Sequence, residues 1–164
     1  MSQLDVPVND VMDAIKRDHQ RLDELFSKAS HLIAANNTAK AAPIVLSFAE
    51  GLRRHMQVER DILANTITPA CNHYINDPTC AMLREHEDIL TQTLMIESRF
   101  ENGTPTADEV APLLATLADT LAKHEAREES SLFPQWEAAI HMAVPEAQAT
   151  MLRKAQNILA GVAE

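Results

Sequence analysis

Four histidines and two glutamates occupy positions where an apolar side chain would be expected. In LAKHEAREESSLF (121–133), His124 and Glu128 stand four residues apart, in line with Leu114, Leu117 and Leu121. The same pair recurs as His55 and Glu59 in LRRHMQVERDIL (52–63), and His19 and His86 fall singly in two further apolar seams. One histidine on an apolar face is usually a hydrogen-bonded core residue. Two carboxylates are another matter, because burying them is very costly unless they are paired or bound to metal. Arg53, Arg54 and Lys123 are next in sequence to the histidines, so on a helix they point away from the seam. Four histidines have an acid at i+4 (His19/Asp23, His55/Glu59, His73/Asp77, His124/Glu128), but only two of these pairs lie wholly in a seam. A metal satisfies every group. Imidazole and carboxylate suit iron, and also zinc or manganese. Six side chains exceed the four that a structural zinc takes. They suit two cations about 3.5–4 Å apart that share anions. With Glu59 and Glu128 bridging, and one solvent-derived oxygen between the ions, each ion has about five bonds and one open position. Such an opening fits a small diatomic ligand or an activated oxygen species.

These residues need long helices to bring them together. Asn9 or Asp10 caps a first helix to about Ala35, ended by the "NNT" at 36–38. A second runs from about Ala39 to Asn65. Asp77 and Pro78 open a third, with proline at its favoured first position, and Gly103 stops it. Thr106 and Glu109 form a capping-box pattern for the fourth. Each long helix then carries one histidine in its apolar seam. The halves match: "RDH" at 17–19 is echoed by "REH" at 84–86, and the paired histidines lie 36 and 38 residues apart. Short links between four long helices predict an all-α, up-down-up-down four-helix bundle over residues 1–133. Residues 134–164, with Trp136 and a helix from Pro145, form a C-terminal helical extension packing on it.

The composition agrees with helices. The chain has 164 residues, 46% hydrophobic but only 4% aromatic, with three glycines, which is short of strand formers. A net charge of −10 argues against a nucleic acid or an anionic membrane as partner. No stretch of about 18 apolar residues spans a membrane. The opening MSQLDVPVNDVMDAIKR lacks a basic-then-apolar leader pattern, so the cytoplasm is the expected compartment. Cys71 and Cys80 are too few for a disulfide framework or a thiolate metal site and read as small packing residues.

The order His…His-x-x-x-Glu…His…His-x-x-x-Glu resembles that of the hemerythrin-like, or HHE cation-binding, proteins, over about Asp10 to Phe133. The resemblance implies a four-helix bundle with non-haem iron in its core. It makes His19, His55, Glu59, His86, His124 and Glu128 the ligands of two irons with an oxo or hydroxo bridge. The family's oxygen carriers have a fifth histidine one turn after the third, where this chain has Leu90. They usually have an aspartate five residues after the last histidine, where this chain has Glu129; Glu128 repeats Glu59 and continues the seam. The resemblance therefore implies a protein binding O2, NO or iron for sensing, buffering or stress response. The alternative is an enzyme reducing peroxide or NO, or donating iron for repair. A ferritin-like bundle is excluded, since no histidine has an acid three residues before it. His31, His73 and His141 are expected outside the site, Asp23 is a spare acid one turn after His19, and Trp136 is expected to close the bundle end or to pack on the terminal helix.

Overall fold

A computed structural model describes residues 8–67 and 77–162. The expected helices form, and each begins or ends where residue chemistry says it should. The Asp10 side chain accepts from the Asp13 N–H at 2.9 Å and opens α1 (Val11–Ala34). Asn36 ends the turn beyond α1 with φ +56, a left-handed conformation that asparagine tolerates. α2 spans Thr38–Val58. Asp77 accepts from the Thr79 N–H at 2.8 Å, with Pro78 in the first position of α3 (Pro78–Glu101). Gly103, at φ +147, follows α3. Glu109 reaches back to the Thr106 N–H at 2.7 Å and starts α4 (Ala107–Arg127).

Two features lie outside a simple helix reading. α2 and α4 do not run straight on: each passes into a π-helical segment, Glu59–Ile67 and Glu128–Leu132. Both segments begin on the glutamate of the seam. Pro43 and Pro112 also repeat, at the sixth position of α2 and α4. Ser47 and Thr116, one turn later, each donate a hydroxyl to the proline carbonyl.

Together α1 to α4 make a four-helix bundle in which consecutive helices are neighbours and α4 returns to α1. α5 (Phe133–Met142) and α6 (Pro145–Ala160) follow, and α6 lies against α1 and α2. The core is in two parts. One cluster gathers Met12, Ile15, Leu63, Met82, Leu132 and Trp136, and includes Met151 and Ala155 of α6. The other gathers Leu22, Phe48, Leu52, Ile89, Phe100 and Leu117. On α1, α3 and α4 the seam histidine falls between the two clusters, and on α2 His55 lies where the second cluster, ending at Met56, gives way to the first, beginning at Val58. The polar layer is thus clamped between two apolar plugs, and burial of those plugs sets its position.

Trp136 is fully buried in the first cluster, at the end where α5 and α6 pack. Cys80, expected as a small packing thiol, is instead disulfide-bonded, a pairing that spacing alone does not reveal. Cys71 and His73 lie outside the described residues. None of the described helices is long and apolar enough to cross a membrane.

Candidate metal centre

All four seam imidazoles turn Nε2 toward the two glutamates. His55 Nε2 lies 3.1 Å from Glu59 Oε1, and His86 Nε2 lies 3.2 Å from Glu59 Oε2. His124 Nε2 lies 3.1 Å from Glu128 Oε1, and His19 Nε2 lies 3.4 Å from Glu128 Oε2. Each glutamate therefore meets its own i+4 histidine and one from the other half of the chain. The ligand-type atoms fall into two sets, each within 4.8 Å: Glu59, His86, His124 and Glu128, and His19, His55 and Glu59. Glu59 belongs to both. Glu59 and Glu128 have no solvent exposure, while the His19 side chain is 16% exposed, so His19 marks the approach from outside.

The burial of these groups leaves needs unmet. Glu59 Oε2, His86 Nε2 and both Glu128 oxygens are buried without a hydrogen bond; the close approaches above lack hydrogen-bond alignment at those atoms. Charge is equally unresolved. Burial disfavours the His55 cation, but Glu59 and Asp18 outweigh it and push the pKa up to about 10. Burial also opposes ionisation of Glu59, yet His55 and His86 beside it hold its carboxyl well below the usual range. For Glu128, burial and the Glu59 charge act together, and its pKa is pushed up to about 8. Burial and the His55 charge pull His19 down to about 4. Burial lowers His86, whereas Glu128 overcomes burial at His124 and raises it. At neutral pH the metal-free cluster is therefore held together by protons, on His55 and on Glu128. Cations would take their place, satisfying the orphaned oxygens and the imidazole lone pairs.

Two further acids, which the seam pattern does not reveal, touch the set. Asp18 Oδ2 is 3.0 Å from His55 Nδ1, and Glu85 Oε2 is 3.2 Å from His124 Nδ1. They are the acids of the repeated "RDH" and "REH", so the repeat was the signal.

Other acids and histidines stay outside. Glu129 is exposed, the next residue after the buried Glu128. Asp23 is exposed and lines the approach to His19. His31 is exposed with Nδ1 2.7 Å from the Ser27 carbonyl oxygen, and His141 is exposed. Leu90 is partly buried against the second apolar cluster. A cavity of about 140 Å³ reaches the site from between α1, α2 and α4. Leu22, Phe26, Phe48, Leu52 and Leu121 line it, His19, His55 and His124 contribute to its wall, and Asp23 and Glu125 add carboxylates.

A buried carboxylate–imidazole cluster midway along a four-helix bundle defines a helical protein with a cation-binding core. The chain belongs to the hemerythrin family: the profile described as Hemerythrin HHE cation binding domain matches residues 10–136, a span that includes all six seam residues. No curated protein and no solved structure matches it.

Proposed function

We propose that the protein is a non-haem di-iron protein that binds a small diatomic ligand, O2 or NO, or holds iron, for sensing, buffering or stress response. The observation that carries this reading is Glu59, which belongs to both sets of ligand-type atoms. A carboxylate with one oxygen toward each set is the shared anion that a two-metal site needs. His19 and His55 with Glu59 would hold one iron, and His86 and His124 with Glu128 and Glu59 the other. When bound, the irons supply reversible ligand binding and one-electron redox chemistry. The protein's part is to keep the site dry and to choose what reaches it. The apolar cavity favours neutral diatomics, and the Asp23 and Glu125 carboxylates disfavour anions.

One observation favours turnover as the second reading. Glu125 lines the cavity, and burial together with the Asp23 charge raises its carboxyl pKa. A carboxyl that stays protonated longer is a proton donor for reduction of peroxide or NO. Visible spectra of the reduced, iron-loaded protein, with NO and after an oxygen pulse, separate the readings. A stable spectral change on NO addition that reverses on its removal supports binding. Consumption of NO or peroxide over many equivalents, with an electron donor present, supports the enzyme. No response to either would contradict both.

A further inference from the structure

The acid ahead of each lone histidine does more than fill a helix face. Asp18 precedes His19 on α1, and Glu85 precedes His86 on α3. Each reaches across to the neighbouring helix and meets the histidine there, His55 on α2 and His124 on α4. We propose that Asp18 and Glu85 are positioning residues that aim the Nε2 atoms of His55 and His124 at the metals, and that Arg21, seated against Gly51, and Arg127 hold these acids in turn. The inference rests on the metal-centre reading above.

The geometry is the same twice. The His55 ring is pinned at both nitrogens, Nδ1 at 3.0 Å from Asp18 and Nε2 at 3.1 Å from Glu59. The His124 ring is held at Nδ1, 3.2 Å from Glu85, and turns Nε2 to within 3.1 Å of Glu128, an approach without hydrogen-bond alignment. A carboxylate that accepts the Nδ1–H fixes the tautomer, turns the Nε2 lone pair toward the site and makes it a stronger donor. Both oxygens of each acid are used. Asp18 Oδ1 accepts from Arg21 Nε at 2.7 Å, and Glu85 Oε1 accepts from Arg127. Asp18 is buried, so its carboxylate has few other orientations to adopt. Among the described residues no carboxylate stands on Nδ1 of His19 or His86. Each metal set therefore combines one braced histidine with one unbraced.

Gly51 adds an independent observation. Glycine in the middle of a helix is unfavourable, and this one is buried within α2. A Cβ there would lie 2.7 Å from Arg21 Nη2 and 2.9 Å from Leu22 Cδ2. The missing side chain is the seat of the Arg21 guanidinium. The line runs from Gly51 through Arg21 and Asp18 to His55, across two helices.

The test is metal release from the loaded full-length protein to excess EDTA, with histidine ring tautomers read by nitrogen-15 NMR on the zinc-loaded form. Asp18→Asn and Glu85→Gln should release metal about 10–100-fold faster than wild type. Their NMR spectra should show the Nδ1 of His55 or His124, respectively, losing its hydrogen-bonded signature. Gly51→Ala and Arg21→Gln, the latter at a half-exposed side chain, should shift the His55 signal in the same direction and leave His124 unchanged. Glu97→Gln is the control: Glu97 is buried and paired with Arg53 but touches none of the six seam residues. Release from Asp18→Asn and Glu85→Gln no faster than from Glu97→Gln, with wild-type tautomers, overturns the positioning role while the metal reading stands. If Asp18→Asn fails to fold, Arg21→Gln decides: a wild-type His55 signal and release rate overturn the relay. Wild-type protein that holds no metal at all overturns the metal reading first, and this inference with it.

Discussion

Glu59 is the residue on which the account turns, because it alone belongs to both sets of ligand-type atoms. Removing it should disturb both ions, whereas an acid outside the two ligand sets should disturb neither. We expect Glu59→Ala and Glu128→Ala to cut bound metal to about half or less, since the first removes the shared carboxylate and the second a buried carboxylate of one ligand set. Glu125→Ala and Glu129→Ala should retain it, and metal quantification across the four variants checks this. Equal loss in all four would mean that the buried pair has no special role. The same residues predict how the metal-free protein responds to pH. Glu128 rises from 4.5 to about 8 on folding, and His55 from 6.5 to about 10. For both, the folded form binds the proton more tightly, so their stabilising contribution is complete below the unfolded value and lost as pH rises through the folded one. His19, lowered from 6.5 to about 4, acts oppositely and loses its contribution as pH falls below 6.5. The melting temperature of metal-stripped protein should therefore fall between pH 6.5 and about 9. A midpoint that climbs across that window would contradict the assignment of protons to Glu128 and His55.

At the scale of the elements, what was legible followed from side-chain type. Asp10, Asp77 with Pro78, and Thr106 with Glu109 are capping chemistries, and they mark the starts of α1, α3 and α4. The seams of α1 to α4 were legible from apolar spacing, which also separated buried Glu128 from exposed Glu129. The π-helical segments were not legible. Their i to i+5 bonding depends on how the chain packs beyond Glu59 and Glu128, and no residue type announces it; such turns are uncommon and cluster at functional sites. Nor did a seam read one helix at a time show that Asp18 and Glu85 act on the next helix, because that contact exists only once helices pair. Leu90 carries the prediction at this scale. It lies one turn after His86, faces the core side and is partly buried. Wild-type protein, lacking a histidine there, should not form a long-lived oxygen adduct, and the reduced site should oxidise instead. Leu90→His should slow that oxidation, by roughly tenfold if one ligand supplies about 1.4 kcal/mol of barrier. Visible spectra after an oxygen pulse read the rates. A wild-type adduct that persists and releases O2 on degassing would return the carrier reading to first place.

For the whole molecule, the cluster is a cost that the rest of the fold sustains. Two apolar plugs hold a layer of imidazoles and carboxylates in which Glu59 Oε2 and both Glu128 oxygens are orphaned without a cation. A ligand that binds the folded form alone stabilises it by mass action, about 4 kcal/mol at a thousandfold excess over its dissociation constant. Metal-loaded protein should melt well above the stripped form, and differential scanning calorimetry of the two would show it. Unchanged midpoints would place any bound metal on the surface. The central claim, two ions sharing Glu59 in the bundle core, is tested most directly by counting metal. Protein expressed with supplied iron and purified without chelator should contain about two irons per chain, because its ligand set satisfies two cations. A single tightly held zinc, with no iron taken up by the stripped protein, would contradict it.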